Sequence, residues 1–168
     1  MLMCLSGCIY NPPNKLPEFR KISHLRELNG LYANHDKNGY CSLSSIIWGD
    51  KAGFDHSTIS RIEVLADDGD ASIDIKAWRE SKLEKESVFL AGKQFEFHSG
   101  QIILKSGPSG YVGDGGLGIG TSSVTLGLDV NGQGKYQRNE TGAVMAMFIV
   151  PIAIRDGGEC SFERIDAR

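Results

Sequence analysis

The chain has no apolar run of the roughly 18–20 residues that a helix needs to cross a bilayer, so no segment reads as a transmembrane helix. It also has no Lys/Arg cluster interleaved with aromatics. With 18 Lys plus Arg against 21 Asp plus Glu and a net charge of −3, nucleic acid is not an expected partner. There is no Gly-x-Ser-x-Gly elbow and no Cys-His framework. The four histidines, His24, His35, His56 and His98, show no metal-ligand spacing. The sequence therefore offers no catalytic residue, metal site or cofactor site. What it has in excess is glycine, 21 of 168 residues, against an average of about 7%. That weighs against a helical bundle and for short strands separated by turns. Hydrophobic residues make up 40% and charged residues 23%, enough apolar matter for one domain with a real core.

The N-terminus carries Leu5-Ser6-Gly7-Cys8. A Leu, two small residues and a Cys resemble the lipobox of bacterial lipoproteins. The resemblance implies cleavage before Cys8, a lipid on its thiol, and residues 1–7 as the remnant of a signal peptide. Met1 to Gly7 has no Lys or Arg and only a stub of an apolar region, where a complete signal has a basic start and roughly 7–15 apolar residues. Two readings follow: a signal peptide whose beginning is missing, or a chance tetrapeptide opening a soluble protein. Asn11-Pro12-Pro13-Asn14-Lys15-Leu16-Pro17 is polar, Pro-rich and aperiodic, so residues 8–26 read as a tether. Ile9, where inner-membrane retention would place Asp, favours the outer membrane, with the body facing the periplasm.

Beyond the tether the apolar pattern has period two. Ile73, Ile75 and Ala77 alternate with Asp74 and Lys76, Phe95 and Phe97 with Glu96 and His98, and Val124, Leu126 and Leu128 with Thr125 and Gly127. Asn131-Gly132 marks a tight hairpin returning through Lys135–Arg138. Weaker strands lie at 29–34, 59–65 and 161–165. The apolar stretch 143–154 reads as one buried strand bending at Pro151. Leu43, Ile46 and Ile47, with Ser42 before them and Gly49 after, predict a two-turn helix. Residues 81–91 fit either a hairpin arm or a second short helix. Such a series of short strands predicts a barrel or a sandwich of antiparallel sheets.

Leu28-Asn29-Gly30-Leu31-Tyr32-Ala33-Asn34, then Ser42-Leu43 and Trp48, with Phe95–Leu104 and Phe162-Glu163-Arg164, resemble small bacterial envelope lipoproteins of uncharacterised function. The resemblance implies a single domain over 27–168: mainly β, an antiparallel lipocalin-like barrel or half-barrel with one or two short helices.

Other motifs invite chemistry and have plainer explanations. Gly113-Asp114-Gly115-Gly116-Leu117-Gly118 matches a nucleotide-binding loop, but a strand pattern follows where a helix is required, so 107–120 reads as a flexible Gly-rich loop. Asn34-x-Asp36-x-Asn38-Gly39 copies half a calcium loop, with Ser45 where a bidentate Glu belongs. Asp67-Asp68-Gly69-Asp70 reads as a turn of solvated carboxylates. Asp55-His56-Ser57 has the residue types of a hydrolase triad, which adjacent residues cannot assemble.

The expected function is a lipid-anchored envelope protein whose β domain binds an apolar small molecule or a partner protein, without catalysis. The rival is a lipocalin-like hydrolase or isomerase using His98, Glu96 or Asp74 inside its cavity. With Cys4 removed and Cys8 lipidated, Cys41 and Cys160 remain. Either they bridge in an oxidising periplasm, latching the first strand to the last, or they are two separate buried thiols.

Overall fold

The structure, a computed structural model, describes residues 16–49, 52–104, 108–113, 116–146 and 150–166, with the backbone alone at 108–113, 116–122, 140–146, 150–157 and 166. Residues 1–7, Cys8 and the tether as far as residue 15 lie outside these. Among the described residues eleven strands follow in chain order: β1 (Gly30–Ala33), β2 (Arg61–Ala66), β3 (Ser72–Arg79), β4 (Lys82–Leu90), β5 (Phe95–His98), β6 (Gln101–Leu104), β7 (Pro108–Gly113), β8 (Gly116–Leu128), β9 (Gly134–Ala146), β10 (Val150–Phe162) and β11 (Arg164–Asp166). One α-helix, α1 (Leu43–Trp48), lies between β1 and β2, and 3-10 turns occupy Leu25–Leu28 and His56–Thr58.

The strands form two antiparallel sheets. The first has the order β11-β1-β2-β3-β4; the second runs β10-β9-β8-β6-β5, with β7 also on β8. The chain crosses between sheets at Glu163, whose carbonyl accepts from Ala33 N at 2.8 Å. It crosses again between β4 and β5, which are linked by an isolated bridge of Ala91 with Phe95. There Gln94 Oε1 takes the Leu90 N–H at 2.9 Å, filling a ladder position with a side chain. The described residues therefore form two apposed sheets and no closed barrel, a correction to the closed form of the expected architecture.

Burial follows the expected alternation. Ile73, Ile75 and Ala77 face inward from β3 and Phe95 from β5, while Glu96 and His98 are exposed. These residues join Ile62, Leu128, Tyr136 and Phe162 in one core between the sheets. Full burial of each large apolar side chain contributes roughly 1.5–3 kcal/mol.

One open alternative is decided and two expectations are corrected. Residues 82–90 form β4, the hairpin arm and not the second helix: cross-strand pairing sets Glu86 opposite Lys76, and Lys76 Nζ lies 3.1 Å from Glu86 and 3.3 Å from Asp74. Opposite charges at facing positions favour the ladder. The stretch 143–154 is not one strand, because its two ends belong to β9 and β10, with Val150 opposite Ala146. Pro151 is tolerated because β10 is an edge strand, where a missing N–H breaks no ladder. The Gly-rich segment is not a loop but the hairpin β7–β8, with Gly113 opposite Gly116.

From Pro17 onward the Pro-rich stretch is strapped to the body. Phe19 bridges Asp129, Arg20 N donates to Leu128 O at 2.8 Å, and Ile22 and Leu25 are buried. Gly100 makes room for this strap at φ +81°: a Cβ there would sit 2.5 Å from Ile22 N and 2.8 Å from Ile22 O. Gly100→Ala is expected to lift the strap and cost about 1–3 kcal/mol. A lower urea midpoint with new protease cleavage between residues 16 and 24 would register it; an unchanged midpoint would refute it.

Candidate functional site

Between the sheets lies a cavity of about 70 Å³, room for a small apolar group or a few waters. Tyr32, Val64, Ile73 and Ile75 line it from the first sheet, Ile102, Leu126 and Phe162 from the second, and α1 closes one side with Leu43 and Ile47. The last two are four residues apart, hence on one helical face. Lys135 also borders the cavity, but its Nζ is held by Pro17 O and the Tyr32 hydroxyl by Leu28 O, so the surface offered to an occupant is apolar.

A helix of six residues cannot stand alone, and its N-terminal donors explain why this one persists. Leu43 N donates to Asn34 O at 2.7 Å and Ile46 N to Ser42 O at 3.1 Å. Ser44 N donates to Asn34 Oδ1 at 2.8 Å, and Ser45 N reaches Ser42 Oγ at 3.4 Å. All four first-turn N–H groups are thus satisfied, two of them by Asn34. The Asn34 amide is fully buried and donates to His56 O at 3.0 Å and Ile59 O at 3.1 Å. At the other end of α1, His56 Nε2 lies 3.0 Å from Gly49 O. A carbonyl can only accept, so Nε2 carries a proton, while Nδ1 lies 2.9 Å from the Ser44 hydroxyl. This Ser–His pair looks like a nucleophile and base, but Ser44 is fully buried and both His56 nitrogens are engaged. Trp48 Nε1 adds a bond to Ser87 Oγ at 3.0 Å.

Cys41, just before the Ser42 cap, forms a disulfide with Cys160 of β10, their Cα atoms 6.4 Å apart. That separation is inside the range a bridge spans. It ties the helix side of the cavity to the second sheet.

On the opposite flank, Arg164 donates to the Glu27 and Asn29 carbonyls and lies over the Tyr32 ring. Tyr32 Oη donates to Leu28 O at 2.6 Å. Burial pushes the Tyr32 phenol up to about 12, with Arg164 pulling the other way. A raised folded-state value means that its contribution to stability is whole below the ordinary tyrosine value near 10 and fades as pH rises from there through about 12. Alkaline titration should show one of the five tyrosines ionising late and together with unfolding; Tyr32→Phe should abolish that late step. A late step that survives Tyr32→Phe would refute the assignment.

No protein-family model, curated protein or solved structure matches the chain.

The structure does not bring His98, Glu96 and Asp74 together at the cavity. Glu96 and His98 are exposed, and Asp74 alternates with the lining residues Ile73 and Ile75. The Asp74 carboxyl is raised, chiefly by desolvation, with Lys76 opposing and Glu86 adding to the rise. In the half calcium loop, Asp36 spends its oxygens on Cys41 N and Asn38 N, and Asn34 points into the core. Of the turn carboxylates, Asp67 accepts from Ala71 N and Ser72 N. Asp70 accepts from Leu25 N at 2.6 Å and pairs with His24 at 3.1 Å, so it anchors the strap and is not simply solvated. Its carboxyl is held low first by His24, then by the Leu25 amide. Asp55 caps its own turn through Ser57. Among the described residues no group of three or more His, Cys, Asp or Glu is arranged to hold a metal.

Sequence reasoning missed Asn34, Ser44 and His56 as a unit. A signal for Asn34 existed: Gly30, Tyr32 and Asn34 share one strand parity, and all three are buried.

Proposed function

We propose that the protein is a lipid-anchored protein of the bacterial envelope whose β domain, a lipocalin-like half-barrel, holds a small apolar molecule. The observation that supports this most is the cavity with an apolar surface that α1 closes on one side. An apolar ligand needs no polar partner there, while acid–base chemistry would need one. The lipobox-like Leu5-Ser6-Gly7-Cys8 supports the anchor, and the Cys41–Cys160 pair suits an oxidising compartment such as the periplasm. Outer-membrane placement follows from Ile9.

Two experiments test the two halves. With a complete signal sequence restored, a fatty-acid analogue should label the wild type and not Cys8→Ser; equal labelling would refute the anchor. Native mass spectrometry of protein purified from its own envelope should show a retained apolar molecule. Ile47→Trp, which fills the cavity from the helix side, should lose it. Ligand-free wild type under gentle desolvation would refute the binding role.

A further inference from the structure

β8, β9 and β10 are each 13 residues long, while the longest strand of the first sheet has nine. Their far halves, together with β7, form a four-stranded extension with which, among the described residues, no strand of the first sheet pairs. The register aligns it in rows. Thr121 lies opposite Pro108 and Thr141, and Thr141 opposite Arg155; at the other end Gly116 lies opposite Gly113 and Ala146, and Ala146 opposite Val150. From Thr121 to Gly116 is about 17 Å at strand rise. Beyond the Arg155 row, no residue of these strand segments is charged. The charged residues Arg155, Glu140 and Asp156 begin together, Glu140 opposite both Ser122 and Asp156. Both parities of the extension are apolar. Leu117, Ile119 and Met145 occupy one; Val144, Ile152 and Ile154, with Gly116, Gly118 and Gly120, occupy the other.

We infer that this extension dips tip-first into the surface of a phospholipid bilayer. A second copy or a partner protein laid on a sheet covers one face, whereas lipid surrounds a tip on both. Two features limit the depth. The outer edges of β7 and β10 have no strand partner among the described residues, and unpaired backbone groups are not tolerated in hydrocarbon. Asp114, between β7 and β8 in the sequence, also needs water. The tip therefore rests at the headgroup–acyl boundary, roughly 5–10 Å deep, with the row of Arg155 at the aqueous side of the headgroups. The strap agrees with this pose. Lys135 Nζ holds Pro17 O at 2.7 Å, and Lys135 pairs with Gly127, six rows or about 20 Å from the Thr121 row. Nine residues from Cys8 to Pro17 reach about 30 Å, so a lipid on Cys8 and the tip fit one bilayer. Only this last step rests on the proposed anchor.

The test uses the full chain with Cys8→Ser, so that no lipid on the protein contributes, and vesicles of phosphatidylethanolamine and phosphatidylglycerol. The protein should float with the vesicles. Leu117→Asp combined with Ile152→Asp should lower the bound fraction about tenfold while leaving the thermal unfolding midpoint in place. If that double variant fails to fold, Tyr111→Trp decides: its added fluorescence should be quenched by lipids brominated near the headgroup end of the acyl chain. Absence of flotation, equal flotation of the double variant, or no quenching would each overturn the inference. So would a concentration-dependent dimer without flotation, which would assign the extension to a second copy. A Cys8→Ser chain that stays in solution while the lipidated one is membrane-bound refutes the inference and leaves the anchor standing. Flotation without labelling of Cys8 does the reverse.

Discussion

Removing the Cys41–Cys160 bridge is expected to lower stability by about 4–5 kcal/mol, the entropy that a loop of this length restores to the unfolded chain. The cysteines are 119 residues apart in sequence, so the bridge encloses most of the chain. A small domain has roughly 5–15 kcal/mol in total, and the loss takes a large share of it. The clean variant is Cys41→Ala with Cys160→Ala, because Cys160 is buried and Ser there would add an unpaired hydroxyl. Urea unfolding of the double variant and of reduced wild type should agree, both well below the oxidised protein. The bridge also ties the loop entering α1 to β10, so the amides of α1 should exchange faster once it is cut. Equal midpoints for oxidised and reduced protein would sink this expectation. A midpoint that drops with no change in α1 exchange would mean that the bridge acts through the unfolded chain alone.

The sequence was most legible where one rule acted locally. β3 is readable because Ile73, Ile75 and Ala77 alternate with charge, and α1 because Ser42, Leu43 and Gly49 supply cap, core and stop. Where two local rules competed, tertiary pairing decided. Residues 81–91 carry the charges of an exposed helix, yet Lys76 and Arg79 on β3 supply cross-strand partners for Glu86 and Glu84. The Gly-rich segment has no strand-like periodicity that stands out from its glycines, and its order comes from β8. The Asn131-Gly132 turn was visible, but not that Asp129, 2% exposed, would accept from both Asn131 N and Gln133 N. The cavity was legible only as an interior, since its walls come from segments between Leu28 and Phe162. Buried polar groups were the least legible. Their partners lie far off in sequence, as Lys135 does from Pro17, and no local pattern announces them.

Asn34→Ala should cost about 3–5 kcal/mol, a loss out of proportion to the few atoms removed. The side chain accepts from Ser44 N and donates to the His56 and Ile59 carbonyls, all within 3.1 Å. Ala leaves one buried N–H and two carbonyls without these partners, and each unsatisfied buried group costs about 1–3 kcal/mol. Some of that is recovered if α1 shifts to admit water, so the helix should loosen before the sheets do. Asn34→Asp separates hydrogen bonding from packing. It keeps the shape and the acceptor for Ser44 N, but replaces the two donors with an oxygen facing two carbonyls. It should therefore be no better than Ala, and worse above the carboxyl's pKa, where the oxygen is charged. Hydrogen exchange at Leu43–Trp48, together with urea midpoints, measures both effects. If Asp proves as stable as Asn, the amide donors are not what holds the helix, and the weight passes to the backbone bond from Leu43 N to Asn34 O. If Ala costs less than about 1 kcal/mol, the Asn34 network is incidental, and the disulfide, the Trp48–Ser87 bond and the packing of Leu43 and Ile47 keep α1 over the cavity.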